Sequence, residues 1–585
     1  GTESDTLILD KNNIVNGNIS LNSGDDNLII GNGNEINGIL DGGDGNKDVL
    51  TFGKTGNTIL LAKDTEKILI FNDISEFETI DINTDVTFFE KTIDDSGKLT
   101  ELKVTGAGTI NIQSGGNLTL RVNGMDRNKD DKIKGHALYE NIGKIISQGT
   151  GTLTLAVYGL GEKEIIDFKD NDLSQLKNEN IKLTSKLHGV ANINNGLIEI
   201  VVKENLPSNN IKIENYIELN KIFNSVKVSG QMNKFPEVKE DDYKNFLSYL
   251  AEIYTLSPSS YSSELSRKSM GMFRDIAVEN QFKADTGKWM IYGGLTHIDG
   301  GTKDTYYGKG YYTYDIGSSD IDSDTKITGA YMLGEYGVSD DFKAGVAVGG
   351  NKLKSDLSNG SKVDGDALYI GGYAKKYLGN LKVTAGAGFQ YGDYDADRTA
   401  AGREITETRS YSSSYNDLTY DIYLNGRYSH NIGDNLYLEP YGTLSYTYVK
   451  QDGADEGNKT LAIETDSQSF DYTVGKMGID LKKVIPHEKG KSTLSVGASY
   501  TRLLNGADEE YITGRFKGGS DFDILVAHKN EHSLGLNAKY TLELENGILF
   551  DVKGTYSVER DSHNQSGKNK TKGEWIVGTG LGYKF

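Results

Sequence analysis

Glu574-Trp575-Ile576-Val577-Gly578-Thr579-Gly580-Leu581-Gly582-Tyr583-Lys584-Phe585 alternates along its whole length. Trp575, Val577, Thr579, Leu581, Tyr583 and Phe585 share one parity. The other parity holds Glu574, Gly578, Gly580, Gly582 and Lys584, with Ile576 the exception. A period of two held over ten or so residues is a strand signal. Strands in a soluble sandwich run about 5–6 residues, whereas about 9–11 tilted residues are needed to cross a bilayer.

The pattern recurs upstream. Leu534, Leu536, Ala538, Tyr540 and Leu542 alternate with Ser533, Gly535, Asn537, Lys539 and Thr541. Ile548, Phe550, Val552, Tyr556 and Val558 alternate with Asp551, Lys553, Thr555, Ser557 and Glu559. Twelve strands are expected, near 289–296, 325–337, 341–354, 364–378, 380–394, 416–429, 435–449, 470–483, 491–505, 532–545, 548–559 and 574–585. Short turns hold Ser339-Asp340, Gly379-Asn380, Ile432-Gly433-Asp434, Pro486 to Gly490, and Asn546-Gly547. Long polar loops near 297–324, 355–363, 395–415, 451–469, 506–531 and 560–573 alternate with them. Short periplasmic turns and long outer loops are how outer-membrane barrels are built.

Composition agrees. The chain has 585 residues with 71 Gly, 35 Tyr and only 5 Pro, a balance suited to long ladders that Pro would interrupt. No run approaches the ~18 apolar residues of a transmembrane helix, and mean hydropathy is −0.49. A barrel escapes that rule because only alternate residues face lipid. The net charge of −21 excludes a nucleic-acid partner, which would need a basic face. With no Cys, disulfides and thiolate chemistry are excluded. Gly1-Thr2-Glu3-Ser4 lacks a basic start and an apolar stretch, so the chain reads as a piece of a longer exported protein.

The polar parity of these strands carries Asn537, Lys539, Glu543, Lys553, Asp421 and Arg427. Such charges need water, so they are expected to line a wet lumen, with the apolar parity facing lipid. Tyr394, Tyr428 and Tyr448, near strand ends, are expected in the interfacial girdle. A lipocalin-like soluble barrel would face the other way, and the charges and the strand count stand against it. Twelve strands leave a lumen between the filled eight-stranded barrel and the open porin, wide enough for one helix. Glu264, Leu265, Lys268, Met272, Ile276 and Gln281 supply that helix, within a pore segment 258–288 begun by Ser257-Pro258-Ser259 and ended by Asp285-Thr286-Gly287. A surface linker helix is the alternative. A second helical stretch, Tyr243 to Leu256, reads as a stem cap or a linker turn within 206–257.

Residues 1–205 differ. Leu7-Ile8-Leu9, Leu28-Ile29-Ile30, Val49 to Phe52, Ile68 to Phe71, Thr79 to Ile82, Thr109 to Ile112 and Leu118 to Leu120 are short strands between Gly/Asn/Asp turns. Ser23 to Leu28 resembles Gly43 to Leu50. Such spacing suggests the rungs of a β-solenoid. The fold class is therefore mainly β: a twelve-stranded antiparallel transmembrane barrel with a pore helix, preceded by a solenoid-like stem over 1–205.

Leu438-Glu439-Pro440-Tyr441-Gly442, followed by Leu444-Ser445-Tyr446-Thr447-Tyr448, resembles a strand of autotransporter β-domains. So do the ending Val577 to Phe585, Asn546-Gly547, and Arg560-Asp561. The resemblance spans about 285–585. It implies a monomeric type V secretion translocator in a Gram-negative outer membrane, presenting its own N-terminal passenger, a virulence-associated device, at the cell surface. Its implied partners are outer-membrane lipid, periplasmic chaperones, the β-barrel assembly machinery and the passenger. It also implies that Leu581, Tyr583 and Phe585 are the signal the assembly machinery reads. The parent could be a subtilisin-like serine protease or a host-binding adhesin. Some autotransporters cut themselves at an Asn pair in the pore; here Asn280 is followed by Gln281, and the pairs Asn194-Asn195 and Asn209-Asn210 lie outside it.

Chemical motifs are sparse. Gly42-Gly43-Asp44-Gly45-Asn46 resembles the start of a calcium nonapeptide, but Lys47 stands where an acid is expected and Asp48 comes one residue late; a solenoid turn is the better reading. Asp126, Asn128 and Asp130 match the first half of an EF-hand loop, with Asp131 in place of Gly and Ala137 in place of Glu, which makes them weak calcium candidates. His528-Lys529-Asn530-Glu531-His532 spells a zinc-protease string off any helix, where it is a coincidence. No residue is expected to be catalytic and no cofactor is expected.

Overall fold

The computed structural model describes residues 2–53, 66–89, 102–135, 143–169, 171–208, 213, 215–235, 237–302, 322–400, 410–527, 529–560 and 573–585. The chain forms two compact units, Gly1–Ile211 with Val226–Phe246, and Lys212–Ser225 with Leu247–Phe585.

The first unit is built on parallel sheets of seven, seven and four strands, with a further four-stranded sheet toward its end. Each rung repeats an apolar-x-apolar triplet, so parallel stacking puts like on like. Leu28 pairs with Leu50 and Leu50 with Ile80; Ile30 pairs with Phe52 and Phe52 with Ile82. All six are fully buried. The resemblance of Ser23–Leu28 to Gly43–Leu50 is thus one rung lying on the next. The stem is the expected β-solenoid.

Helix α1 spans Tyr216–Val228, α2 Glu240–Thr255 and α3 Ser262–Glu279. Helix α1 was not anticipated in the linker, although Leu219, Ile222, Phe223 and Val226, all buried, follow helical spacing. None of the described helices is long and apolar enough to cross a membrane.

The second unit is a closed barrel. Its strands are β1 (Trp289–Thr302), β2 (Ser323–Gly337), β3 (Phe342–Leu357), β4 (Lys362–Leu378), β5 (Leu381–Thr399) and β6 (Ser410–Tyr428). They continue as β7 (Leu436–Gln451), β8 (Gln468–His487), β9 (Gly490–Asn505), β10 (His532–Leu544), β11 (Ile548–Arg560) and β12 (Glu574–Lys584). Each pairs antiparallel with its sequence neighbour, and β1 pairs with β12, from Met290↔Lys584 to Asp299↔Trp575, so no edge remains. Closure satisfies the backbone where no water can. The twelve expected strands are all present, several extending into the expected outer loops.

The two faces divide as the parity requires. Leu295, Leu368, Ile422, Met477, Leu534 and Leu581 point outward, each 59–68 % exposed in the isolated chain. Inside, Tyr side chains lie over glycines on the neighbouring strand: Tyr373 over Gly345, Tyr423 over Gly386, Tyr441 over Gly478. A methyl at Gly345 would come within 2.4 Å of the Tyr373 ring. Many Gly and many Tyr are thus one packing device, aromatic rings covering bare backbone.

Three expectations are corrected. Tyr394 is not in the girdle; it is 1 % exposed and faces the lumen, because its parity on β5 matches Gln390 rather than Tyr391. The stretch 355–363 is no long loop: β3 and β4 join through a tight turn at 358–361, with Gly360 at φ +86° and Leu357 N–H donating to the Ser361 carbonyl at 2.8 Å. The loops 451–469 and 506–531 fold into a small sheet of Ile463–Thr465, Tyr511–Phe516 and Phe522–Leu525, since Ile512, Phe516, Phe522 and Ile524 alternate inward to bury one another.

Candidate functional site: the occupied lumen

Helix α3 lies in the barrel. Ser257 is extended, Pro258 opens a short 3-10 turn to Tyr261, and α3 follows. Pro suits a first turn, where its missing N–H costs nothing. Ser262, Ser266 and Ser269, at i, i+4 and i+7, form one fully buried stripe. Small side chains let the helix come close to the wall, and their hydroxyls meet polar partners there. Ser262 Oγ lies 2.8 Å from the Tyr415 hydroxyl. Ser266 donates to Asp417 at 2.5 Å and bonds the Tyr394 hydroxyl. Ser269 donates to Gln390 at 2.7 Å and accepts from Asn351 Nδ2 at 2.8 Å.

One turn on, Phe273 stacks on Tyr369 with ring centroids 4.4 Å apart and planes 7° from parallel. A methyl at Gly349 would sit 2.3 Å from the Phe273 ring, so this seat requires glycine. Such a stack contributes about 0.5–1.5 kcal/mol beyond burial.

The helix's charges meet opposite charges on the wall. Arg274 donates to Asp421 at 2.9 Å. Lys268 bonds Glu574. Glu279 lies 3.3 Å from Lys476 and 3.9 Å from Lys553, and its carbonyl accepts from Lys539 at 2.9 Å. The wall charges expected in a wet lumen are there. Beside the helix a cavity of about 210 Å³ remains, lined by Ser445, Ser499, Thr501, Thr555 and Ser557 among others. At roughly 10–15 Å³ per water it has room for a dozen or more.

Helix α3 stops at Glu279, short of the expected Asp285-Thr286-Gly287, because side chains take over the N–H groups the helix would have used. Asn280 Oδ1 accepts Phe282 N–H at 3.0 Å, and Glu335 accepts Ala284 N–H at 2.8 Å. Glu335 also accepts the Tyr373 hydroxyl at 3.0 Å and pairs with Lys375 at 2.9 Å; Lys375 donates to the Phe282 carbonyl at 3.2 Å. This clamp was missed in the sequence. Its signal was two charges on the inward parity of β2 and β4.

The other candidate residues lie apart. Leu581, Tyr583 and Phe585 share the outer face of β12, 65, 50 and 56 % exposed. Asp126, Asn128 and Asp130 sit in one turn of the stem. There Asn128 Oδ1 accepts the N–H groups of Asp130 and Lys132 at 2.9 and 3.0 Å, and Asp126 pairs with Lys134 at 3.3 Å. Among the described residues no group of three or more His, Asp or Glu could hold a metal ion. His528 lies outside the described residues; Glu531 pairs with Arg502 at 2.9 Å and His532 Nδ1 is 2.5 Å from the Tyr500 hydroxyl.

Residues 280–555 match the family model of the autotransporter β-domain. An extracellular serine protease of Serratia marcescens is 25 % identical over 197 residues, 33 % of this chain and 17 % of that protein. A second is 24 % identical over 196 residues with the same coverage. The chain therefore spans about a sixth of the length of these curated relatives. Among solved structures, the translocator domain of NalP from Neisseria meningitidis is 16 % identical with a TM-score of 0.42, covering 57 % of this chain and 100 % of its own. The transport unit of AIDA-I from Escherichia coli is 12 % identical with a TM-score of 0.37, covering 56 % and 99 %. Over residues 280–555, then, the chain carries an autotransporter β-domain.

Proposed function

We propose that residues 289–585 form the outer-membrane pore, 258–288 the segment retained in it, 206–257 a linker, and 1–205 the stem of the passenger carried to the cell surface. The observation that carries this reading is α3 inside a closed barrel, bonded to the wall along its length by Ser266–Asp417, Arg274–Asp421 and Glu279–Lys476. A chain whose stem precedes that helix and whose barrel follows it has threaded its own pore. The β-domain is not itself catalytic. Protease accessibility on intact cells tests the reading: the stem should be shaved from outside while the barrel persists, and a stem protected until the membrane is opened would refute it.

The name shared by the Serratia relatives favours a serine protease as the parent's activity over an adhesin. Hydrolysis of a peptide substrate by cells expressing the parent, lost on treatment with a serine-directed inhibitor, separates the two. In assembly, periplasmic chaperones deliver the unfolded barrel, and the assembly machinery reads Leu581, Tyr583 and Phe585 by strand addition, with backbone bonds giving affinity and alternate side chains specificity. The barrel works as a monomer.

A further inference from the structure

Four rungs of the stem begin with an acid in the same place. Thr6 pairs with Asn27, Asn27 with Val49 and Val49 with Thr79, so the preceding residues Asp5, Asp26, Asp48 and Glu78 stack in one column. One oxygen of each of the last three has a structural task. Asp26 Oδ1 accepts Asp5 N–H, Asp48 Oδ1 accepts Asp26 N–H, and Glu78 Oε2 accepts Asp48 N–H, each at 2.6 Å. The second oxygen of the two aspartates has none. Asp26 and Asp48 have no exposed surface, and Oδ2 of each is buried without a hydrogen-bond partner.

The same stem shows how a neutral side chain fills this role. At another corner Asn34, equally buried, accepts Asn13 N–H at 2.7 Å, while its Nδ2 donates to the Asp10 and Gly31 carbonyls at 2.6 and 2.7 Å. An amide satisfies both of its ends. A carboxylate places an acceptor where the amide has a donor, and a buried acceptor of that kind calls for a positive partner. Adjacent rungs are only about 4.8 Å apart, so the stacked anions also repel one another. Burial, with the carboxylates of Glu78, Asp26 and Asp25 around it, pushes Asp48 above the usual carboxylate range, although it lies shallow beneath the surface.

A backbone oxygen lies close to Asp48 Oδ2. A methyl at Gly45 would lie 2.1 Å from Asp48 Oδ2 and 2.3 Å from the Gly24 carbonyl oxygen, so both oxygens border a space that only glycine leaves open. This is the Gly42-Gly43-Asp44-Gly45-Asn46 turn, and Asp48, one residue late for a calcium nonapeptide, meets Asp26 of the rung before it.

We propose that Asp26 Oδ2, Asp48 Oδ2 and the Gly24 carbonyl bind a calcium ion at this corner of the stem, with water completing its shell. Carboxylate and carbonyl oxygens suit a hard cation that accepts six to eight ligands in irregular geometry, and the ligand set offers no sulfur or imidazole for a softer metal. Two carboxylates place the affinity with extracellular modules, about 10⁻⁴–10⁻³ M.

The full chain in detergent, stripped with a chelator, is titrated with calcium chloride by calorimetry while the melting of the stem is followed. Saturable binding is expected, with a rise of several degrees at about 5 mM calcium and less with magnesium. Asp26→Asn/Asp48→Asn keeps both Oδ1 acceptors and supplies amide donors, as Asn34 does. This variant should lose the calcium response and melt, without calcium, no lower than the parent. Asp126→Asn should keep the response. Absence of heat and of any shift in the parent chain overturns the site, as does an undiminished response in the double variant. A parent stem that gains stability on acidification but not from calcium would assign the proton to this corner instead, and overturns the site too.

Discussion

The Glu335 carboxylate lies 2.9 Å from the Lys375 ammonium, and neither side chain has any exposed surface. Together they hold the peptide groups of Phe282 and Ala284, in the stretch of the pore segment between α3 and β1. Removing one partner of such a pair leaves an uncompensated charge and costs about 3–5 kcal/mol. Lys375→Met should therefore lower the temperature at which the refolded barrel loses its compact gel mobility in detergent. Glu335→Gln/Lys375→Met should recover part of that loss. A single variant as heat-resistant as the parent would mean the pair is not the clamp described.

Deleting 262–285 removes α3 with its wall contacts and should raise single-channel conductance in planar bilayers. The contrast is between a lumen with about 210 Å³ of cavity beside the helix and an open twelve-stranded lumen. Equal conductance with and without the segment would place α3 outside the pore in the membrane.

His188 gives the stem a defined response to acid. The Ser185 hydroxyl donates to its Nδ1 at 3.2 Å, and its Nε2–H donates to the Gly161 carbonyl at 3.1 Å. Both bonds fit the neutral ring. Burial lowers its pKa from 6.5 to about 4. Because the folded value is depressed, the unfolded chain binds the proton more readily. The stabilisation is complete above pH 6.5, declines as pH falls and is gone below about 4, a total of roughly 3 kcal/mol. His188→Gln should flatten the stem's melting temperature between pH 7 and 4. A parent stem with no slope in that window would show that the ring is not held neutral.

The barrel was legible because a lipid-facing wall enforces its period over every strand: Leu534 to Leu542 and Ile548 to Val558 could hardly be read otherwise. The solenoid was legible in its longer rungs, Val49–Phe52 and Thr79–Ile82. Its second sheet was legible only in part, at Ile68 to Phe71 and Leu118 to Leu120, and its third was not, since strands such as Ile14–Val15 and Ile19–Ser20 are too short to show a period. Tyr394 was misplaced because an aromatic near a strand end suits a girdle and a lumen alike; only its register against Gln390, which also meets α3, decides. The Ser262–Ser266–Ser269 stripe was visible as spacing, but its partners come from β3, β5 and β6, which only the closed barrel brings together.

The topology makes a separate claim about sides. An epitope tag at Asp455, between β7 and β8, or at Asn569, between β11 and β12 in the sequence, should be reached by antibody on intact cells, and one at Gly379, in a tight turn at φ +63°, should not. Asp455 pairs with Lys517 at 2.6 Å across the loop sheet, so the tag is better placed beside it than through it; residue 569 lies outside the described residues. Labelling at Gly379 alone would invert the barrel.

Phe585 separates stability from recognition. Its N–H donates to the Trp289 carbonyl at 3.0 Å and its carbonyl accepts Trp289 N–H at 3.2 Å, which closes the barrel at the foot of the β1–β12 seam. Its side chain does less for the fold: it is 56 % exposed and touches Tyr583 at a ring separation of 6.2 Å. Phe585→Asp keeps both backbone bonds and changes only what lies on the outer face. Chain ends also fray, so refolding in detergent should be little affected. In cells the same substitution removes the last member of the Leu581, Tyr583, Phe585 row that strand addition would read, and outer-membrane yield should fall by about tenfold, a recognition difference of about 1.4 kcal/mol. Deleting Phe585 removes the two bonds as well and should lower both yields, the cellular one more. Equal losses in cells and in detergent for Phe585→Asp would make the side chain a stability element. No loss in either would place the signal elsewhere on the barrel.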